Sequence, residues 1–199
     1  ASLGWVLSEE KFFEKLKKTV NFLKIRASYG TLGNDNTGGV AFPYYSRFEL
    51  YSGATASNYL PNNLGDYVFG SLLTKGLVPG AVANAMATWE KSTKTNIAMD
   101  ATLFNRLNLT VDFFMERRTD ILVQRYDEVP SSFGGTLPLE NLGEVKNKGV
   151  DFSLSYHQKV REVDFTLGGN FTFARNKIVE MAEAVGTSEY MRKTGRPIN

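Results

Sequence analysis

Strict alternation of apolar and polar residues is the feature that most constrains how this chain can fold. From residue 107 to 117 the apolar positions are Leu107, Leu109, Val111, Phe113 and Met115, with polar residues between them and Phe114 as the one exception. Similar alternation occurs in residues 3–7, 23–29, 97–103, 150–157 and 163–173. Because side chains of a β-strand point to opposite faces in turn, the pattern predicts roughly six strands, each with one apolar and one polar face.

The length of the apolar stripes separates the two kinds of sheet that show such alternation, the β-sandwich and the membrane β-barrel. The stripe that begins at Leu107 ends where Arg117 takes the same face, and the stripe that begins at Val163 ends at Arg175. Stripes of this kind are about 7–11 residues long, close to the ~9–11 residues with which a tilted strand crosses a bilayer. The stripe length therefore favours a membrane-spanning sheet.

Short and long connections alternate along the chain. The links at 103–107 and 158–162 are tight, whereas the segments 31–88 and 126–145 are long and rich in Gly, Asn and Pro. Compact soluble domains rarely contain loops much beyond about 15 residues, whereas outer-membrane barrels combine short periplasmic turns with long extracellular loops. If the short links are periplasmic, every predicted strand direction agrees with the loop lengths.

One segment departs from the strand pattern. The sequence of residues 8–20 predicts a short helix. Ser8 would be its N-cap, Glu9 lies at its start, and Lys17 and Lys18 lie at its end, where their charges suit the helix dipole. The strand directions place this helix on the periplasmic side, where it either covers the rim of a barrel or docks a partner.

Five stretches carry a more specific signature. They read FLKIRASYGTLGN (22–34), WEKSTKTNIAMD (89–100), VDFFMERRTDIL (111–122), VPSSFGGTLPLENLGEVKNKGV (129–150) and GGNFTFARNKI (168–178). In this order and spacing they closely resemble the SusC/RagA-type TonB-dependent transporters of bacterial outer membranes. The resemblance covers nearly the whole chain and is weakest between Asn36 and Ala87, as expected for a variable outward-facing loop.

The resemblance implies an all-β fold: a segment of a large antiparallel transmembrane β-barrel with long extracellular loops and one short periplasmic-side helix. Residues 1–199 then form part of a single barrel domain, from its C-terminal half, with the plug domain and the signal peptide outside this sequence. Such transporters import oligosaccharides or peptides across the outer membrane. The implied partners are TonB (through the missing N-terminal region), a SusD-like surface lipoprotein that closes the extracellular mouth, outer-membrane lipid and the substrate, with no cofactor.

The alternation also assigns residues to the two faces of the predicted wall. The predicted lipid-facing positions are Leu107, Leu109, Val111, Phe113, Met115, Val163, Phe165 and Leu167. The predicted lumen-facing positions, which we expect to contact the plug or water, are Asn108, Thr110, Asp112, Ser153, Ser155, Thr166 and Asn170.

An aromatic loop is the candidate for contact with a ligand or with the lid partner. Its members are Tyr44, Tyr45, Phe48, Tyr51, Tyr59 and Tyr67, with Phe42 beside them. Aromatic faces stack on sugars, and Tyr is enriched at protein interfaces. Three roles stay open: packing of the loop against itself, contact with the lid lipoprotein, and contact with substrate.

Composition argues against several other classes. The sequence has 23 Lys and Arg against 21 Asp and Glu, which does not suggest a nucleic-acid footprint. With no Cys and a single His, it offers no thiolate or multi-histidine metal site, and we find no catalytic constellation, so we expect neither an enzyme nor a metal protein. Whether the oxygen-rich loop Asn34–Asn36 binds an ion stays open. The alternatives to a transporter are a soluble all-β carbohydrate-binding module and a structural adhesin wall.

Overall fold

The fold is known from a computed structural model, which describes residues 1–36, 42–50, 66–80, 82–125, 137–184 and 186–198. Within these residues the strands are β1 (Ser2–Val6), β2 (Val20–Asn34), β3 (Phe48–Leu50), β4 (Asp66–Phe69), β5 (Leu72–Lys75), β6 (Leu77–Pro79), β7 (Glu90–Leu103), β8 (Leu107–Gln124), β9 (Leu139–Val160) and β10 (Val163–Glu180). No helix in this part of the chain is both long and apolar enough to cross a membrane.

Six of the strands form one antiparallel sheet in the order β1-β2-β7-β8-β9-β10. Each of these six strands pairs with the next of them along the chain, and two separate two-stranded sheets, β3 with β6 and β4 with β5, come from the segment between β2 and β7. The predicted all-β sheet of six alternating strands is confirmed. We call the end of the sheet with the tight turns at residues 104–106 and 161–162 the short-turn end, and the opposite end the long-loop end.

The helix predicted for residues 8–20 is wrong. The chain instead forms two short 3-10 turns, Leu7–Glu9 and Lys11–Phe13, and Ser8 is not an N-cap but a fully buried residue inside the first of them. The first turn closes through the Glu10 amide, which donates to the Leu7 carbonyl at 3.1 Å. A helix of about 13 residues is marginal on its own, and this segment must join the paired ends of β1 and β2 within a short distance.

The long loops predicted at 31–88 and 126–145 are partly wrong, because strands extend into both. Strand β8 continues to Gln124 and β9 begins at Leu139, so the end of the predicted second loop is strand. The alternation stops in β8 because apolar side chains then occur on both faces, at Ile121, Leu122 and Val123, whereas the backbone ladder needs no particular side-chain pattern to continue.

The sheet has no conventional core. In the described part of the chain the buried apolar residues are Phe13, Ala98, Ala101 and Ile178, and both faces of the long strands are otherwise half-buried or exposed. A sheet that leaves large apolar side chains uncovered on one face requires another medium or partner to cover them.

Candidate functional site

The strand register joins the apolar stripes of neighbouring strands into one continuous band. One row of paired residues is Trp5, Ile25, Met99, Val111, Phe152 and Phe171, and the next is Leu3, Ala27, Ile97, Phe113, Val150 and Phe173. The band, which we call the apolar band, reaches the row of Leu103 and Leu107 at the short-turn end and Met115 at the long-loop end. Phe113 is 59% exposed and Leu167 is 76% exposed.

All eight positions predicted to face lipid lie on the face that carries this band, which we call the apolar face. The ladder pairs Leu109 with Leu154 and Leu107 with Tyr156, and Tyr156 in turn with Leu167. The register therefore brings residues as far apart in the sequence as Leu3 and Phe173 into one surface. That this surface meets lipid stays a prediction.

The seven positions predicted to face a lumen all lie on the opposite, polar face. Several of them are linked by hydrogen bonds between strands: the Ser153 hydroxyl donates to Asn170 Oδ1 at 3.0 Å, and the Thr110 hydroxyl donates to Asp100 Oδ1 at 3.1 Å. These contacts cross the β9–β10 and β7–β8 boundaries. The polar face is thus a connected surface rather than a set of isolated side chains.

Arg26 is the centre of a charge cluster that crosses three strands on the polar face. Its Nε donates to Asp100 Oδ2 at 3.1 Å, and its Nη2 lies 3.4 Å from Asp112 Oδ2. The guanidinium thereby joins β2, β7 and β8 across three strands. Sequence reasoning included Asp112 but missed Arg26, because only the register shows that the two residues lie two strands apart at the same height.

Phe114, the exception to the alternation, is accommodated by a glycine. Phe114 pairs with Gly149 on the polar face, and a Cβ at Gly149 would lie 2.5 Å from Phe114 Cζ and 2.4 Å from the Phe173 carbonyl oxygen. The missing side chain of Gly149 leaves room for the aromatic ring to lie over the backbone. A large apolar residue can therefore occupy a polar-face position without breaking the pattern.

Two asparagines attach the segment 82–88 to the long strands. Asn141 donates from Nδ2 to the Asp120 carbonyl at 2.6 Å and to the Thr88 carbonyl at 2.8 Å, and its Oδ1 accepts from the Thr88 amide at 2.9 Å. Asn84 donates from Nδ2 to the Leu139 carbonyl at 2.7 Å. Sequence reasoning missed both residues, since no local pattern distinguishes them from other loop asparagines.

A cleft of about 560 Å³ opens at the long-loop end. Its floor is formed by apolar side chains of β8, β9 and β10, including Ile121, Val145 and Ile178, and its rim includes Arg192, Lys193 and Arg196 from the segment after β10. That segment is held by the Ile178 amide, which donates to the Arg196 carbonyl at 2.9 Å. The cleft lining thus combines apolar and cationic side chains with one carboxylate, that of Glu180, and sequence reasoning did not identify it.

A carboxylate contact also holds this segment. The Thr194 amide donates to Glu183 Oε1 at 2.6 Å, and this hydrogen bond lowers the pKa of the Glu183 carboxyl below its ordinary value. The contact ties the two ends of residues 183–194 together beside the cleft.

The structure describes only some of the residues of the aromatic loop. Tyr44 and Tyr45 lie with ring centroids 4.7 Å apart and Phe42 6.1 Å from Tyr44, yet Tyr44 is 50% exposed and Phe48 is 69% exposed. Tyr51 and Tyr59 lie outside the described residues, as does the side chain of Tyr67, whose backbone is in β4. The rings of the described part pack on one another and still present open faces.

The described residues contain no group of three or more His, Asp or Glu side chains that could hold a metal ion. In the loop Asn34–Asn36, the Asn34 side-chain oxygen accepts a hydrogen bond from the Asn36 amide at 3.2 Å. This oxygen is therefore already part of the hydrogen bonding of the turn. The question of an ion in this loop stays open.

The sequence matches the family model described as TonB-dependent receptor-like, β-barrel, over residues 1–199. Among curated proteins it is similar to TonB-dependent receptor P3 of Formosa agariphila, with 32% identity over 177 residues that cover 88% of this chain and 16% of that protein. TonB-dependent receptor P39 of the same organism is 28% identical over 201 residues, which cover 98% of this chain and 17% of that protein. The chain thus spans 16–17% of the length of these curated relatives.

Solved structures show the same fold. The structure of the RagAB peptide importer in the closed-closed state superposes with a TM-score of 0.71 at 23% sequence identity, covering 98% of this chain and 20% of the matched chain. The open-open state of the same importer gives a TM-score of 0.70 with 96% of this chain and 19% of the matched chain covered. In both comparisons the six-stranded sheet corresponds to one section of a much larger barrel.

Proposed function

Because this chain belongs to the TonB-dependent receptor-like β-barrel family, we propose that its sheet is a section of the wall of an active transporter that imports large nutrients, oligosaccharides or peptides, across the bacterial outer membrane. The observation that carries this proposal is the apolar band. Its five rows on β8, from Leu107 to Met115, have the length of a bilayer-spanning strand, while the polar face behind them is linked by hydrogen bonds and ion pairs.

The two faces then have distinct roles. Lipid covers the apolar band, and the polar face, with Arg26, Asp112 and Asn170, borders the lumen and the plug. Short turns lie on the periplasmic side, and the long-loop end, with the cleft and the aromatic loop, faces outward. Family membership supports two partners: TonB, which supplies energy, and a SusD-like lipoprotein that closes the mouth.

The long-loop end offers two surfaces for cargo or for the lid. The exposed rings of Tyr44, Tyr45 and Phe48 suit stacking on sugars or burial in a protein interface. The cleft beside Ile178 combines an apolar floor with Arg192, Arg196 and Glu180, which suits a cargo with apolar and polar groups. We therefore assign cargo and lid contacts to this end and wall functions to the rest.

The soluble carbohydrate-binding module, the alternative considered from the sequence, is not favoured. A soluble domain rarely exposes a contiguous apolar surface larger than a few hundred Å². Here the exposed band extends across all six strands of the sheet and includes Trp5, Phe113 and Phe171.

Cysteine labelling in the complete transporter tests the proposal, and this segment contains no cysteine of its own. In a cysteine-free background, Leu109→Cys and Phe113→Cys are expected to resist a charged, membrane-impermeant maleimide, whereas Asn108→Cys and Thr110→Cys react through the lumen. Equal labelling of the two sets by the charged reagent would refute the wall assignment, and loss of nutrient uptake on deletion of the transporter tests the import role separately.

A further inference from the structure

Two rows of cations lie on the apolar face directly beyond the apolar band at the long-loop end. The first row consists of Lys148 and Arg175, which are paired with each other, next to Met115 of the band. The second row consists of Arg117, Lys146 and Lys177, with Lys146 paired to the other two. We call Arg117, Lys146, Lys148, Arg175 and Lys177 the cation cluster. All five are exposed, and the three strands that carry them place them side by side.

The charge of the cation cluster is only partly neutralised. Arg117 makes two hydrogen bonds to Glu144, at 2.9 and 2.8 Å, and Lys146 lies 3.5 Å from the same carboxylate. Within the described residues, Lys148, Arg175 and Lys177 form no ion pair. One carboxylate therefore serves two cations, and three cations remain available to an external anion.

Arg175 marks the junction between the cation cluster and the apolar band. Its guanidinium carbon lies 5.4 Å from the centre of the Phe173 ring, which belongs to the band. A cation held over an aromatic ring at the edge of an apolar surface keeps its stem in the apolar region and its head in the polar one.

At the short-turn end, the strand positions of the same face carry no such charges. The positions of the same face at the short-turn end are Leu103, Leu107, Gln158 and Val160, none of which is charged.

We propose that the cation cluster binds the phosphate groups of anionic lipids in the outward-facing leaflet. This inference rests on the proposed function, which sets the band in the membrane with the long-loop end outward. Acyl chains that cover Phe173 and Met115 place their head groups at the next residues of the same face, which are Lys148 and Arg175. Neighbouring strands lie about 4.8 Å apart and alternate residues about 6.8 Å apart, so adjacent cations can share one phosphate.

The test measures lipid binding to the complete transporter purified in a neutral detergent. Native mass spectrometry follows the titration with phosphatidylglycerol, with lipid A, and with zwitterionic phosphatidylcholine. The variant Lys148→Gln/Arg175→Gln/Lys177→Gln removes the three unpaired cations. The matched control Lys11→Gln/Lys15→Gln/Lys18→Gln removes the same charge from exposed positions in the segment between β1 and β2.

We expect the wild type to bind both anionic lipids more tightly than phosphatidylcholine, and the cluster variant to lose about tenfold or more in anionic-lipid affinity while the control does not. Equal affinity of cluster variant and control for the anionic lipids would overturn the proposal, as would a wild type without preference for them. Inorganic phosphate that competes as well as lipid at equal concentration would also overturn the assignment to lipid. If the triple variant fails to fold, the double variant Lys148→Gln/Lys177→Gln is titrated in the same way, and Cys labelling of the band reports independently on the proposed function.

Discussion

At the scale of single residues, neighbours along β8 have opposite surroundings. Val111 lies in the middle row of the apolar band beside Met99 and Phe152, whereas Asp112 lies on the polar face 3.4 Å from the Arg26 guanidinium. Consecutive residues of β8 thus lie on opposite faces of the sheet. A pair of substitutions at these two positions tests the face assignment directly.

We expect Val111→Arg to weaken the assembled barrel by about 2–4 kcal/mol, because it places a charge at the midplane of the bilayer. Asp112→Asn keeps the shape of the side chain on the polar face and should leave assembly nearly unchanged. Folding of the complete transporter into vesicles, followed by urea titration and by the electrophoretic shift of the folded barrel, measures both. Similar losses for the two variants would contradict the assignment of the faces.

Also at this scale, the alternation predicted the side of the residues within the apolar stripes but could not account for Phe114. Its ring lies on the polar face because Gly149 on the neighbouring strand has no side chain to occupy the space. The two residues lie 35 positions apart, and no local rule relates them.

At the scale of elements, the β8–β9 ladder contains an irregularity, and a hydrogen bond from one side chain compensates for it. The register shifts between Arg118 and Ile121, and Asp120 between them has a positive φ of 59°. An irregular ladder leaves backbone groups without strand partners. Asn141 of β9 donates to the Asp120 carbonyl and forms two further hydrogen bonds to Thr88, so it both completes the ladder and attaches the segment before β7.

Asn141→Ala is therefore expected to release residues 82–89 without unfolding the sheet. Loss of these hydrogen bonds costs on the order of 1–3 kcal/mol locally, which should increase amide exchange at Thr88 at least several-fold. Hydrogen–deuterium exchange of the complete transporter in detergent measures this. The matched control is Asn147→Ala, since the Asn147 side chain makes no hydrogen bond within the described residues. Unchanged exchange at Thr88 in the first variant would show that the contact does not hold the segment.

At the scale of the whole molecule, the sheet ends in two terminal strands, β1 and β10, and carries an uncovered apolar band. Terminal strands with free backbone groups pair with other chains, and exposed apolar bands associate in water. In a closed barrel both features disappear, because further strands pair with the edges and lipid covers the band.

We accordingly expect the isolated 199-residue chain to aggregate in aqueous buffer and to remain dispersed only in detergent. Size-exclusion chromatography with light scattering and far-ultraviolet circular dichroism, with and without detergent, provides the measurement. A monomeric, folded chain in buffer alone would exclude the role as a barrel wall and would return the soluble binding module to consideration.

The sequence by itself determined the strands, their two faces and the alternation of short and long connections, because each of these depends on residues next to or near one another in the chain. It predicted a helix at 8–20 and loops up to 145 wrongly, because the ends of elements depend on what they pair with. Only the tertiary structure decided that Arg26 joins Asp112, that Phe114 lies over Gly149, that Asn141 holds Thr88, and that cations of three strands form one cluster. The physical reason is register: the offset between two paired strands is a property of the pair, and it decides which distant side chains come within reach of each other.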